Sequence, residues 1–239
     1  MKILLLCGNT NRAKSYVDVL SKLDFVELSC LYYYNKESFE KNNQIQIDEA
    51  SSSYLNHLNV ITPNLSESLV EKLSALKLDY DSVEEYNVNA PFILNKIKDV
   101  KPDYVVYAGY GGQILSPAHF DLEIDYLHAH PGWLPEERGS TTLYYSLLKN
   151  KPLSVTTFFM SAEIDKGGYV NRINYPQPTH LVDIDNYIDN ALRADSMKKA
   201  LSQLNKAKEI HHPAQDEEDQ EYYVIHPLLK HVALLSIDN

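Results

Sequence analysis

Short apolar runs that alternate with helical segments constrain the fold of this chain most strongly. The clearest run is Asp103–Ala108, which leads into a glycine-rich turn over 109–112. Lys2–Cys7 is a second such run and ends at Gly8. Continuously apolar strands are typical of parallel sheets that helices cover on both faces. Strands that alternate with helices therefore favour a Rossmann-like α/β fold with a mostly parallel sheet.

The remaining elements follow from hydrophobic periodicity and from capping residues. The patterns predict further strands over 25–33, 126–130, 154–160 and 169–173. They predict helices over 11–23, 64–77, 91–101, 141–149 and 182–207, with Asn64 and Asn89 as N-caps. The polar segment 36–53 is interpreted as a surface excursion.

The chain has 239 residues, which fits one large domain with a short addition. We expect a core over 1–178 and a C-terminal appendage over 179–239. Two apolar runs around Pro227, within Tyr222–Ile237, predict a β-hairpin that follows the appendage helices. Its apolar residues would suit packing onto the core or onto a second subunit, so a homodimer is expected.

Charge and cysteine content narrow the classes of function. The formal net charge of −11 disfavours nucleic-acid binding, which needs clustered Lys and Arg. Cys7 and Cys30 lack metal-ligand spacing, so a reducing compartment is favoured over a disulfide. The apolar run at the start is too short for a signal sequence, and no run has the length of a membrane span. We expect a cytoplasmic protein without a metal; the adjacent His211 and His212 are interpreted as a solvated loop.

Two histidines and one aspartate indicate where the chemistry lies. His128 and His130 are two residues apart on a predicted strand and therefore project from one face near its carboxyl end. Asp165 lies in a glycine-flanked turn downstream. Taken singly, a His-x-His is more often a surface or core feature, and an aspartate in a turn is more often a turn former. Together they favour an imidazole–carboxylate pair for general acid and base catalysis.

These residues carry a family resemblance. The stretch His128–Gly139 resembles the formyltransferase signature Asn-x-His-[Pro/Ser]-x-Leu-Pro-x-x-Arg-Gly, and Ile164–Gly167 resembles the Asp-x-Gly turn of that family. Lys101–Val106 and Gly109–Leu115 resemble the strand and loop that precede the signature. The resemblance implies the formyltransferase fold, with 10-formyltetrahydrofolate as the formyl donor and an amine as the acceptor.

The resemblance also implies roles for the catalytic residues. His130 matches the family histidine and Asp165 matches the aspartate, so His130 is expected to stabilise the oxyanion and Asp165 to orient groups and relay protons. The position of the family asparagine holds His128, which can replace it only as an N–H donor. The same substitution leaves open an altered or lost catalysis.

Two further sets of residues complete the expected site. The loop that would bind the folate contains Gly109, Tyr110, Gly111, Gly112, Ile114 and Leu115. The residues expected to contact the acceptor are Asn89, Arg138, Gly139, Ser140, Thr141 and Tyr144. For several of them a structural role is the alternative: helix capping for Asn89, a surface ion pair with Glu136 or Glu137 for Arg138, and helix packing for Tyr144. Trp133 and Tyr110 are expected to flank the pocket.

The acceptor is expected to be the amino group of a nucleotide-linked sugar used for surface polysaccharide. The short acidic tail disfavours a transfer RNA, and Arg138–Leu148 resembles the sugar N-formyltransferases most. Two alternatives stay open. The protein could be a hydrolase that passes the formyl group to water, or a binding protein that keeps the fold without the chemistry.

Overall fold

A seven-stranded sheet dominates the computed structural model, which describes residues 1–37, 45–163, 165–207, 221–222 and 224–237. The strand order is β3-β2-β1-β4-β5-β7-β8. Its strands are β1 (Lys2–Cys7), β2 (Glu27–Tyr34), β3 (Asp79–Glu84), β4 (Tyr104–Ala108), β5 (Asp125–His130), β7 (Leu153–Phe159) and β8 (Tyr169–Tyr175). Strands β1 to β5 pair in parallel, whereas β7 and β8 are antiparallel. The predicted α/β fold with a mostly parallel sheet is confirmed.

Helices flank this sheet, and a short second sheet joins β6 (Arg138–Gly139) to β9 (Glu221–Tyr222). The helices are α1 (Asn11–Leu20), α2 (Glu49–His57), α3 (Leu69–Ala75), α4 (Pro91–Val100), α5 (Pro117–Phe120), α6 (Thr142–Leu148), α7 (Asp189–Lys206) and α8 (Pro227–Leu235). A π-helical turn, Ile184–Ile188, leads directly into α7. Within the described ranges, no helix combines the length and the apolar character needed to cross a membrane.

The chain forms two compact units whose segments alternate along the sequence. Unit 1 comprises residues 1–46, 63–128 and 159–164, and unit 2 comprises residues 47–62, 129–158 and 165–239. The division into a core of 1–178 and an appendage of 179–239 stays a prediction.

Unit 1 has its own apolar core. Side chains from β1, β2, β4 and α4 form one cluster, which includes Leu4, Leu6, Leu31, Tyr33, Ile93, Ile97, Val105 and Tyr107. Cys7 and Cys30 lie on the paired strands β1 and β2 as buried free thiols, with their Sγ atoms 3.3 Å apart. Burial raises the pKa of the Cys7 thiol well above its usual range, so this thiol stays protonated and unreactive.

Unit 2 joins its strands to α7 through a buried polar network. Every residue of β7 is buried. The hydroxyls of Thr157 and Ser196 lie 2.8 Å apart, and Asn171 accepts a hydrogen bond from the Ser196 hydroxyl at 3.0 Å. The Asn171 amide donates in turn to the Ser196 carbonyl. These bonds satisfy polar groups that burial would otherwise penalise.

Two helices within residues 36–77 differ from the prediction. The helix expected over 64–77 begins only at Leu69, because Ser68 is its N-cap and forms a reciprocal capping box with Glu71. Asn64 instead accepts the backbone N–H of Ser66 in a local turn. Part of the segment that was expected to be a surface excursion is α2, which Asp48 caps by accepting the N–H of Ser51.

The predicted hairpin in the tail is wrong. Pro227 is the first residue of helix α8, where its missing N–H and fixed φ suit a helix start, and His226 is the N-cap. The expected helical segment 182–207 is confirmed as the π-helical turn and α7. The pair His211 and His212 lies outside the described residues.

The Thr157–Ser196–Asn171 network predicts a stability effect. Ser196→Ala should lower the free energy of unfolding by about 1–3 kcal/mol, because Oδ1 of Asn171 and the hydroxyl of Thr157 would both lose the buried Ser196 hydroxyl as a hydrogen-bond partner. Urea unfolding measures this change. Ser202→Ala on the same helix removes only a hydroxyl that bonds to Lys198 within the helix, and should change the free energy by less than about 0.5 kcal/mol. Equal effects of the two substitutions would contradict the prediction.

Candidate active site

His130 is the last residue of β5 and is 3% exposed. Pro131 follows directly and ends the strand, since proline cannot donate to a sheet ladder. The histidine is thus fixed at the carboxyl end of a strand, where ligands of α/β sheets bind.

Both ring nitrogens of His130 face acceptors within unit 2. Nε2 lies 2.6 Å from the carbonyl oxygen of Glu137, and Nδ1 lies 3.5 Å from Oδ2 of Asp165. A carbonyl oxygen only accepts, so Nε2 carries the proton in this contact. Nδ1 then faces a carboxylate, and a ring that is protonated on both nitrogens satisfies both neighbours. The predicted imidazole–carboxylate pair is therefore present as a contact.

Gly132 makes the contact between His130 and Glu137 possible. It has a φ of +154°, and a Cβ at this position would lie 2.6 Å from the Glu137 carbonyl oxygen and 2.9 Å from Nε2 of His130. Any side chain here would therefore displace the carbonyl from the imidazole.

Asp165 occupies the turn between β7 and β8, with a positive φ of 54°. Aspartate tolerates this left-handed conformation better than most residues do. The side chain is mostly buried, and its carboxylate is directed to His130. The turn-forming and the catalytic readings of Asp165 are thus both compatible with its position.

Glu137 was not predicted as a site residue. Its carboxylate is buried and accepts the backbone N–H of Trp133 at 3.0 Å, while its carbonyl accepts from His130. The expected surface pair between Arg138 and an acidic neighbour is wrong, because Arg138 is itself buried. Glu137 contacts His130 through its backbone carbonyl, so the residue type at position 137 could not predict this contact from the sequence.

The residues between Gly139 and Tyr144 that are expected to contact the acceptor differ in their contacts within the protein. Gly139 pairs with Tyr222 of β9, Ser140 is exposed, and the Thr141 hydroxyl accepts the backbone N–H of Ile225 at 3.0 Å. The Tyr144 hydroxyl donates to Asp185 Oδ1 at 2.8 Å. Burial first, and Asp185 second, raise the pKa of Tyr144 well above its ordinary range, so it stays a neutral donor. Tyr144 thus packs and donates within unit 2.

Trp133 has a partner of its own in unit 2. The Arg172 guanidinium lies over its ring at 4.7 Å from the centroid and also contacts the ring of Tyr169. Arg172 further donates to the carbonyl of Leu134. This stacking holds the backbone that follows His130.

His128 lies in unit 1, next to the end of β4. Its Nδ1 is 3.3 Å from the carbonyl oxygen of Tyr107, and the two rings are tilted at 45°. The carbonyl is an acceptor, so Nδ1 carries the proton in this contact. In the neutral ring Nε2 is then an acceptor, and it becomes a donor only when the ring is doubly protonated.

The loop that was expected to bind folate starts in a tyrosine cluster. A Cβ at Gly109 would collide with the hydroxyls of Tyr107 and Tyr33, whereas Gly111 and Gly112 face open space. Ile114 is 58% exposed. The loop therefore combines a tightly packed start with an accessible centre, and its part in folate binding stays a prediction.

Asn89 holds the end of this loop. Its Oδ1 accepts the N–H of Ser116 at 2.8 Å, and its Nδ2 donates to the carbonyl of Ile114 at 3.0 Å. The predicted helix cap is wrong, because Ala90 is the N-cap of α4. The oxygen and the nitrogen of the Asn89 side-chain amide thus both bond to this loop.

Tyr110 fills the space above the turn after β1. A Cβ at Gly8 would lie 2.5 Å from its ring, and its hydroxyl accepts the N–H of Asn9 at 3.0 Å. The ring also packs against Tyr86 and Tyr33. The ring of Tyr110 is therefore a packing element of unit 1, and the part of this residue in folate binding stays a prediction.

One cavity within unit 2 contains none of the predicted site residues. It measures about 470 Å³ and is lined by α2, including Tyr54 and His57, and by residues 176–182. Its lining residues 176–182 follow Tyr175, which pairs with Leu153 at the start of β7. Asp165 instead follows the end of β7, at the opposite end of that strand. In the parts of the chain that the structure describes, no group of three or more His, Cys, Asp or Glu side chains could hold a metal ion.

No family model matches the chain. The methionyl-tRNA formyltransferase of Bacillus pumilus is 29% identical over 104 residues, which are 43% of this chain and 32% of that protein. The one from Methylacidiphilum infernorum is 33% identical over 98 residues, 40% of this chain and 30% of that protein. The matches thus span about a third of the length of these curated relatives.

Solved structures match over most of the chain. A sugar N-formyltransferase from Shewanella has a TM-score of 0.56 at 18% identity and covers 99% of this chain and 88% of its own. The phosphoribosylglycinamide formyltransferase of Campylobacter jejuni has a TM-score of 0.59 at 17% identity, covering 86% and 98%. HypX from Aquifex aeolicus in complex with tetrahydrofolic acid has a TM-score of 0.56 at 14% identity, covering 96% and 30%. The chain therefore has the formyltransferase fold, and the likeness to the formyltransferase family expected from its motifs is confirmed.

Proposed function

We propose that this protein transfers the formyl group of 10-formyltetrahydrofolate to a primary amine. The contact of His130 with Asp165 at the end of β5 carries the proposal, because it places a proton donor and a carboxylate at the positions of the family signature. The likeness to formyltransferases in sequence and in fold supports it. The complex of HypX with tetrahydrofolic acid supports a folate as the donor.

The proposed reaction begins with the attack of the neutral amine on the formyl carbon. A C–N bond forms, the carbonyl oxygen becomes an oxyanion, and the attacking nitrogen becomes cationic. The bond between N10 of the folate and the formyl carbon then breaks. One proton of the amine is delivered to N10, so the products are the formamide and tetrahydrofolate.

His130 and Asp165 would divide this proton chemistry. A protonated imidazole can donate to the oxyanion, and Asp165 can accept the proton of the amine directly or through water. In the structure Nε2 of His130 donates to the Glu137 carbonyl. We therefore expect the ring to exchange this carbonyl for the oxyanion as charge develops.

The proposed acceptor is a nucleotide-linked amino sugar, in a pathway to surface polysaccharide. The solved sugar N-formyltransferase from Shewanella and the 4-N formyltransferase from Francisella tularensis cover nearly the whole chain, which supports this choice. The net charge of −11 argues against a transfer RNA as the acceptor. Incubation with 10-formyltetrahydrofolate and a panel of such sugars tests the proposal. Release of tetrahydrofolate without any amine would indicate a hydrolase instead.

We also propose that the protein forms a homodimer through helix α8. This helix exposes Leu228, Leu229, Val232 and Leu235, an unusually apolar surface for a short helix. Sedimentation of the full chain and of Leu228→Ser/Leu235→Ser would test this. The variant should be monomeric at concentrations where the unchanged protein is dimeric; a monomer in both cases would refute the proposal.

His130→Ala should reduce kcat for formyl transfer by about 10²–10³, because the oxyanion loses its donor. Asp165→Asn should also lower kcat, since the amide cannot accept a proton. The control is His57→Ala, which removes an exposed histidine of α2 in the same unit. Tetrahydrofolate release follows the rate. A fully active His130→Ala protein would exclude His130 as the oxyanion donor.

The tautomer of His128 predicts a pH dependence. Because its Nδ1 proton is used on the Tyr107 carbonyl, His128 can donate from Nε2 only when it is doubly protonated. The rate should therefore fall as the pH is raised from about 6 to 9. His128→Asn, which restores an amide donor, should flatten this profile. Superimposable profiles of kcat/KM for the two proteins would show that His128 donates no essential proton.

A further inference from the structure

A small cavity opens in unit 2 beside the strand that carries His130. Its volume is about 130 Å³. The lining residues come from the segment after β5 and from the turn that leads into α7: Pro131, Ser140, Thr141, Thr142, Leu143, Tyr144, Ile184, Asp185, Asp189 and Arg193. Pro131 follows His130 in the chain, so the cavity borders the backbone next to the proposed catalytic residue.

Two carboxylates and one guanidinium are fixed around this cavity. Asp185 accepts a hydrogen bond from Tyr144 at 2.8 Å and pairs with Lys230 of α8. Asp189 pairs with Nε of Arg193 at 3.0 Å. Arg193 also donates from Nη1 to the carbonyl of Ala129 at 2.8 Å. The polar groups are therefore held in place before any ligand arrives, which lowers the entropy lost on binding.

These carboxylates retain capacity for a ligand. A carboxylate has about four acceptor sites, and each of the two uses only part of them on its protein partners. The side chain of Asp185 is 50% exposed and that of Asp189 is 23% exposed. Apolar atoms of Pro131 and Leu143 line the same space. A ligand with hydroxyl donors on an apolar ring matches this combination.

The volume of the cavity and the charge of its lining residues narrow the class of ligand further. Sites for drug-sized ligands measure roughly 300–1,000 Å³, so a cavity of about 130 Å³ takes a single ring and excludes a whole nucleotide. Two carboxylates facing the cavity would repel a phosphate.

We propose that this cavity is the subsite for the hydroxylated ring that bears the acceptor amine, with Asp185 and Asp189 accepting hydrogen bonds from ring hydroxyls. Arg193 is a positioning residue that ties Asp189 to the strand next to His130. The inference rests on the proposed function, and it makes the segment after β8 the part of the chain that selects a sugar ring over other amines.

The test compares ring binding with and without hydroxyls. Saturation-transfer NMR on the full chain measures the dissociation constants of 4-amino-4-deoxyglucose and of cyclohexylamine, a ring amine of similar size without hydroxyls. Asp185→Asn and Asp189→Asn should each weaken binding of the amino sugar by about tenfold and weaken that of cyclohexylamine less, because both ammonium groups lose the charge attraction but only the sugar also loses hydrogen bonds from its hydroxyls. Asp99→Asn, an exposed carboxylate of α4 in unit 1, is the control and should bind both amines as the unchanged protein does.

Because Asp185 is half-exposed, its substitution should leave the fold intact, and circular dichroism checks this. Equal affinities for the sugar in the unchanged protein and in both cavity variants would overturn the inference, as would no preference for the sugar over cyclohexylamine. Failure of the proposed function gives a different result: binding of the sugar with the predicted losses, but no formyl transfer to any amine. Where transfer is measured, Asp185→Asn should raise KM for the sugar and leave kcat within about twofold.

Discussion

The contact of one imidazole with two acceptors is the constraint on which the rest of the site depends. His130 is almost fully buried and is enclosed between the Glu137 carbonyl and the Asp165 carboxylate. Gly132 is required so that the carbonyl can approach. Asp165 is required in a left-handed turn so that its carboxylate meets the ring. The motif is thus a geometric unit in which each member fixes the next.

The sequence predicted those parts of the fold that local chemistry decides. The buried runs of β1, β4 and β5 and the helices α1 and α7 were predicted because their apolar residues follow one period clearly. Strand β3 was missed, since Asp79–Glu84 is polar and pairs only at the sheet edge. The tail was predicted as a hairpin because apolar runs around Pro227 fit either structure; the helix results from proline at its first position and from packing against α6.

The site was predictable where a motif fixed it and not where distant segments supply it. His130 and Asp165 follow from the motif and from the strand period. The roles of Asn89, Arg138 and Tyr144 depended on neighbours far along the chain, such as Ile114 for Asn89 and Asp185 for Tyr144. Asp185 and Asp189 belong to no sequence motif. Only the packing of the π-helical turn and of α7 brings them beside Pro131. The proposed ring subsite thus depends on tertiary packing alone, whereas each member of the proposed catalytic pair lies in a recognisable motif.

Formyl transfer to an amine is tested most directly by following the formyl carbon into the products. The protein would be supplied with 10-formyltetrahydrofolate that carries ¹³C in the formyl group, together with a nucleotide-linked amino sugar, and the products would be analysed by mass spectrometry. We expect a ¹³C-labelled formamide on the sugar in equal amount to the tetrahydrofolate released. Labelled formate without any formamide would contradict it, because the His130–Asp165 pair would then be serving water as the acceptor.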